Sequence, residues 1–493
     1  MRKRAFFLLA VALAAAGCVA GVLIGKSMVR SKTELAAPEA SQALLQASRG
    51  LDVYEVEAVY DEKARTLLCT QRIVYQNRSQ DDLDSVYFHL YPNAFKREET
   101  SPAVLSGGKD EFEPGEIFIE DVQVNGAACA WAVAGEDESA LRVPAALAPG
   151  GQAQIELQYR VEIPKLAYRW GEANGVVSVA NAFPIAAIYE RGAWRLDEYG
   201  PVGDPFYSAC ANWTLSLTVP EGFVVSAGGA VREAETKDGQ TRVLAEALAA
   251  RDMAFSMSRR YALAQQRVGD VLISSYALRP KDAEAALEYA ISALEQLQAM
   301  LGAYPFPTLT LAQKDIGGYG GMEYSGFMLL DDSLYSGDRQ LLERVVAHET
   351  AHQYFGMLVG SDQVEEPWMD EAFCEYMTLM YYDKEYGRQA FDALYAQRIE
   401  PALRITHPIG VTAGSAITSF TSGAEYVQLV YQKGAGMLHG IREALGEARF
   451  LEALRTYIDK YAFGIATRED FTVTMQEATG ASWRGFIDDY LDE

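Results

Sequence analysis

Residues 345–356 read VVAHETAHQYFG, and this short run constrains the chain more than any other. His348 and His352 stand four positions apart. On a helix that spacing puts both imidazoles on one face, within reach of one metal ion. Glu349 sits between them on the adjacent face, so it suits a general base on a metal-activated water better than a ligand. Any fold for this chain must bury that helix face beside a further donor. A hydrolytic zinc site takes three protein ligands and keeps a fourth position open.

The segment EEPWMDEAFCEYMTLMYY, residues 365–382, supplies the third ligand. Eighteen residues separate His352 from Glu371. The stretch from Asp370 has the spacing of a second helix, with Phe373, Met377 and Met380 on its inner side. A turn between the two helices lets Glu371 meet the histidines. The predicted set is one zinc ion on His348, His352 and Glu371, which lowers the pKa of bound water towards about 7. Asp370 and Glu375 are read as supporting or solvated carboxylates, and Cys374 as a small buried apolar side chain. An oxyanion formed here needs a donor besides the metal, and EYVQLVYQKGAGML offers both Tyr426 and Tyr431.

The rest of the chain reads as two kinds of structure. The period-two runs IELQYRVEI (155–163) and WTLSLTVPEG (from 213) describe half-buried antiparallel strands, and VNGA at 124–127 a hairpin turn. Residues 51–260 are therefore expected to form an all-β domain. The period then changes. From 280, PKDAEAALEYAISALEQLQAMLGAYPFP has apolar positions three and four apart, stopped by Gly302 and Pro305. Residues 261–493 are expected to be mainly helical.

The amino terminus has another character. After MRKR, residues 5–25 carry no charge, long enough to span a bilayer as a helix. Residues 1–25 are read as a membrane anchor with the catalytic part outside the cytoplasm; cleavage as a signal segment, or lipidation at Cys18, is the alternative. Residues 26–50 are read as a stalk. GKS at 25–27 lacks the earlier glycine of a phosphate loop. The five cysteines form no CxxC pair, which leaves out zinc-ribbon and thioredoxin chemistry. The formal net charge of −25 argues against nucleic acid as a partner. Composition says nothing of the oligomeric state.

One stretch resists a local reading. IGGYGGMEYSGF, residues 316–327, surrounds Glu323 with glycines. It lacks the Lys-Ser/Thr pair of a phosphate cradle, which leaves a turn or a strand edge that a ligand approaches closely.

Taken together, GGMEY, HETAH, WMDEAF after eighteen residues and YQKGA resemble the zinc aminopeptidase family of aminopeptidase N and leukotriene-A hydrolase. YFHLYPNAF and GDPFYSACANWTLSLTVPEGFVVSAGG resemble the family's β domain, so the likeness runs over roughly 51–493. It implies an N-terminal antiparallel β sandwich or saddle, then an α+β thermolysin-like, mainly helical catalytic domain. It implies peptide substrates with a free N-terminus, with Glu323 gripping the α-amine and Gly320, Gly321 and Met322 lining the strand on which the peptide lies. It also assigns transition-state stabilisation to Tyr431, with Tyr426 as fallback.

Three departures accompany the likeness. Tyr324 replaces the family's asparagine. The β-domain residue that usually helps bind the amine has no clear counterpart, and Glu190 is the nearest candidate. The sequence ends 62 residues after Tyr431, which leaves no room for a C-terminal helical domain and predicts a more open cleft. A gluzincin endopeptidase, and a binding protein on an inactive peptidase fold, are the competing readings; epoxide hydrolysis rests on analogy alone.

Overall fold

The computed structural model describes residues 35–105, 112–135, 137–405 and 410–492. The expected anchor and Cys18 lie outside the described residues. Among the described residues, no helix is long and apolar enough to cross a membrane. Residues 36–493 pack as one compact unit.

Eight strands form the largest sheet: β1 (Asp52–Asp61), β2 (Thr66–Gln76), β3 (Glu116–Val124), β4 (Ala127–Ala128), β5 (Gln152–Glu162), β6 (Ala211–Pro220), β7 (Ala230–Lys237) and β8 (Gln240–Ala250). Their order across the sheet is β7-β8-β6-β1-β2-β5-β3-β4. The alternation read from sequence is the burial pattern. Ile155, Leu157, Tyr159 and Val161 face the core from β5, and Trp213, Leu215, Leu217 and Val219 from β6. The turn between β3 and β4 has Asn125 and Gly126 both at positive φ, 52° and 77°, as a two-residue hairpin needs. One pairing departs from the expected antiparallel pattern: β1 runs parallel to β6, with Asp52 opposite Ala211. Strands far apart in sequence are joined by a long excursion, which leaves either direction open. Two four-stranded sheets and a two-stranded one complete this β-rich part among the described residues.

A second, five-stranded sheet begins just after the expected boundary at 260. It contains β9 (Ala262–Val268), β10 (Val271–Ala277), β11 (Thr308–Lys314), β12 (Gly321–Tyr324) and β13 (Phe327–Asp331), in the order β9-β10-β11-β13-β12. Helix α1 (Pro280–Leu301) follows β10 and buries an alanine-rich face, including Ala283, Ala286, Ala290 and Ala293. Small side chains there let it lie close to α2 (Arg339–His352). Helix α3 (Trp368–Tyr386) crosses the centre of the helical part, and almost every side chain from Trp368 to Tyr381 is buried. Helices α4 (Arg388–Ala402) and α5 (Gly434–Leu445) flank it.

A small apolar layer joins the two parts. Val176, Ala180 and Ala254 from the β-rich part pack with Met322, Tyr324, Phe327 and Leu329. The stalk reading of residues 26–50 needs correction over its second half. A short helix, Gln42–Ala47, is capped by Ser41 and buries Leu44 against the helical core. The Asn212 side-chain amide donates to the Ser48 carbonyl at 2.8 Å. A helix this short has no full apolar period, so the sequence carries no sign of it.

His89, at the end of the strand Leu83–His89, is buried and stacks flat on Tyr91 at 4.7 Å. Burial pulls its pKa down to about 4. The folded state therefore holds it neutral, while the unfolded chain protonates it near 6.5. The unfolded state binds more protons between those values, so stability rises with pH across that window and falls on acidification through it. We expect this one group to cost on the order of 3 kcal/mol by pH 4. Thermal unfolding of wild type and His89→Phe at pH 7 and pH 4.5 checks this. An equal loss of Tm in both proteins contradicts it.

Candidate active site

Helix α2 ends on the motif residues, and α3 carries Glu371 in its first turn. The two helices pack together and bring three donors face to face. His348 Nε2 lies 3.1 Å from His352 Nε2, and each lies 3.3 Å from Glu371 Oε2. A tetrahedral ion with ligand bonds of about 2.0–2.1 Å has donor-to-donor edges of roughly 3.3–3.4 Å. The triangle of donors therefore has the size of one face of a zinc tetrahedron.

The tautomers fit as well. His352 Nδ1 donates to Asp370 Oδ1 at 2.6 Å, and the Gln363 amide donates to the other Asp370 oxygen. With its proton held on Nδ1, His352 presents the Nε2 lone pair to the triangle. Asp370 is thus the orienting carboxylate of this site rather than a solvated one. Glu375 is buried, 4.0 Å from His348 Nδ1, and accepts from Arg398 Nε.

Charge around the triangle also calls for a cation. Glu323, Glu349, Asp370 and Glu371 are all buried here. Burial and crowding by other carboxylates push Glu323 well above the usual carboxylate range and Glu349 up to about 7. Burial would raise Glu371 too, but the two imidazoles beside it hold it down to about 2. Glu349 Oε2 is buried with no hydrogen-bond partner. A divalent ion supplies the missing positive charge and favours the ionised, proton-accepting form of Glu349. The residues present fit a zinc ion.

Strand β12 explains the glycines. It is the outer strand of its sheet and runs alongside α2. Gly320, just before it, has φ +88°, and a Cβ there would lie 3.8 Å from Val345. A Cβ on Gly321 would fall 2.2 Å from Glu349 Oε1. Only glycine lets the strand come this close to the base. Glu323 points at the motif helix, its Oε1 4.0 Å from His352 Nδ1. Its neighbours alternate to the other face. Met322 and Tyr324 fill the apolar layer between the two parts, and Tyr324 packs on Phe327. The unexpected tyrosine is thus a core residue behind the edge, with its carbonyl held by the Gln353 amide at 3.1 Å. Met322 is likewise a packing residue at the rim.

Tyr431 lies in a π-helical turn, Val427–Lys433. The wider turn carries its ring parallel to His348, 5.8 Å away, and its hydroxyl donates to Glu371 Oε1 at 2.5 Å. Burial and the Glu371 charge raise this phenol well above 10, so it stays a proton donor. Tyr426 is buried behind it against Phe420 and does not bond the triangle. Cys374 is buried, as expected.

Glu190 is not at the site. It pairs with Arg195 at 2.9 Å and accepts from Tyr207. The β-rich part instead contributes an ion pair lining the cleft, the buried Arg169 with the half-buried Asp204. Tyr168, Tyr199 and Phe206 surround the guanidinium. Asp204 falls within the GDPF stretch of the family-like sequence, but nothing local marked it as a cleft residue. Arg344 and Arg398 line the same cleft, whose volume is about 230 Å³. A larger, mainly apolar cleft of about 370 Å³, beside residues 36–40, contains none of these donors.

Comparison with known proteins agrees with the geometry. Residues 285–490 match the peptidase family M1 domain. Aminopeptidase M1-B of Oryza sativa subsp. japonica is 30% identical over 209 residues, 40% of this chain and 24% of that protein. Aminopeptidase N of Lactococcus lactis subsp. lactis is 27% identical over 236 residues, 42% of this chain and 26% of that protein. The chain thus spans about a quarter of the length of these relatives. In fold, it is similar to a crystal structure of an M1 zinc metallopeptidase mutant from Deinococcus radiodurans, with a TM-score of 0.65 and 16% identity over 90% of this chain and 94% of that one.

Two substitutions follow from these contacts. Asp370→Asn should weaken zinc affinity about 10–100-fold, as loss of an orienting carboxylate does, measured by chelator competition. Gly321→Ala should displace the Glu349 carboxylate and lower kcat at least about tenfold while zinc content stays stoichiometric. Metal analysis beside turnover checks the pair, and full turnover in Gly321→Ala contradicts the close approach.

Proposed function

From the match of residues 285–490 to the peptidase family M1 domain, we propose that this chain belongs to that family and is a zinc aminopeptidase releasing the N-terminal residue of peptides. The observation that carries this reading is Glu323. Its carboxylate stands on the strand edge one residue's reach from the donor triangle. Behind it the space narrows to about 30 Å³, bounded by Asn181, Tyr324 and Met357. That volume suits water, not another residue of chain. A peptide whose α-ammonium meets Glu323 therefore stops there, which favours removal of a single residue over internal cleavage.

His348, His352 and Glu371 would hold zinc, and the three possible ligand groups among the described residues share His352, which supports one ion per chain. Zinc bound there supplies a Lewis acid for the scissile carbonyl and for water. The protein's own groups do the rest. The β12 edge aligns the peptide backbone across Gly320 and Gly321. Glu349 takes a proton from the attacking water and delivers it to the leaving amine nitrogen, a role worth roughly 10²–10⁴ in rate. The Tyr431 hydroxyl turns from Glu371 towards the developing oxyanion. Asp370 keeps His352 in its tautomer. A solved structure of the Deinococcus radiodurans enzyme mutant is bound to a Tyr-Ser-Ala substrate, and short peptides are the substrate class we propose here. The uncharged run at 5–25 after a basic start supports a membrane-anchored protein acting outside the cytoplasm.

A free-amine peptide and its N-acetylated form separate the readings. The free peptide should be cleaved at least about 10²-fold faster, the effect of leaving a buried carboxylate unpaired. Glu349→Gln should abolish turnover and retain zinc. Equal cleavage of the acetylated peptide would sink the exopeptidase reading, and an active Glu349→Gln the mechanism.

A further inference from the structure

The cleft wall beyond the donor triangle from Glu323 carries two guanidinium groups. Arg344 lies four residues, one helical turn, before His348 on α2 and lines the cleft half-buried. Its guanidinium makes no hydrogen bond or ion pair among the described residues. Arg398, from α4, lines the same wall and bonds to the buried Glu375. Burial, and then the Arg398 charge, lower the pKa of Arg344, so the two guanidinium groups feel each other. Glu375, and then Asp338, are the carboxylates that oppose Arg344. In a chain of net charge −25 these two guanidinium groups stand together in the cleft wall.

The spacing fits a ligand. Along α2, Arg344 and His352 are eight residues apart, about 12 Å of helix. Strand β12 runs in the same direction: Gly320 lies beside Val345, Gly321 beside Glu349, and Glu323 beside His352. A peptide with its amine at Glu323 and its backbone along this edge advances about 3.3 Å per residue towards Arg344. Three residues span about 10 Å, close to the separation of Arg344 from His352 along α2.

We propose that Arg344, supported by Arg398, binds a carboxylate at the third residue of the substrate, making this a peptidase that prefers very short peptides. The proposal rests on the aminopeptidase reading, which fixes the amine end. The carboxylate has two possible sources, the C-terminus of a tripeptide or an acidic third side chain. Arg344 offers a planar fork to either. Free arginine in an acidic chain also keeps the cleft from repelling an anion that the distant surface would disfavour.

The experiment compares four substrates with the zinc-loaded full chain: Ala-Ala-Ala, its C-terminal amide, Ala-Ala-Asp amide and an alanine anilide. The free tripeptide should exceed its amide about 10–100-fold in kcat/KM, mostly through KM, as one charge-assisted contact does. Recovery in Ala-Ala-Asp amide identifies the side chain as a source, and its absence identifies the C-terminus. Arg344→Gln should bring the acid-to-amide ratio close to one, and Arg344→Lys should restore part of it. A ratio near one in wild type, or an unchanged ratio in Arg344→Gln, overturns the carboxylate site even if the anilide is hydrolysed. Wild type inert on all four overturns the aminopeptidase reading and this site with it.

Discussion

Three donor atoms held 3.1–3.3 Å apart in a buried pocket govern this structure. With two imidazole lone pairs and a carboxylate turned inward, the arrangement is one that a cation between them stabilises. Everything nearby serves that geometry. Helix α2 supplies the i, i+4 pair, α3 brings Glu371 to it, and Asp370 holds the one proton that could spoil the arrangement. Behind the site, Phe373 of α3 stacks on Phe355, three residues past α2, and on Tyr457.

The second constraint is distance to the strand. The base Glu349 and the edge strand β12 occupy nearly the same space, and they coexist because residue 321 has no side chain. The strand can then carry Glu323 to His352 while its alternate residues close the interface with the β-rich part. That part is no separate appendage. Its Arg169–Asp204 pair forms a cleft wall, so the site is assembled from both.

Polarity runs along the cleft. Glu323 lies beside His352, and Arg344 and Arg398, with Glu375 between the helices, line the wall further along the cleft. A short zwitterionic peptide has its charges in the complementary order. The dry walls make such local charges count for more than the net charge of the whole chain.

The metal set was legible in the sequence because its chemistry is local. Helical periodicity alone places His348 and His352 together, and the second helix needs little more to bring Glu371. The β strands were legible for the same reason, since alternation is a property of neighbours. Other features depend on contacts between distant segments. Tyr324 could be understood only when strand parity turned it into the core. The parallel pairing of β1 with β6, the packing of Leu44, the bond from Tyr431 to Glu371 out of a π-helical turn, and the place of Arg169 and Asp204 in the cleft where Glu190 is absent all needed the tertiary structure. Sequence determined which groups can do chemistry; folding decided which of them meet, because side-chain direction and burial are set by partners a hundred or more residues away.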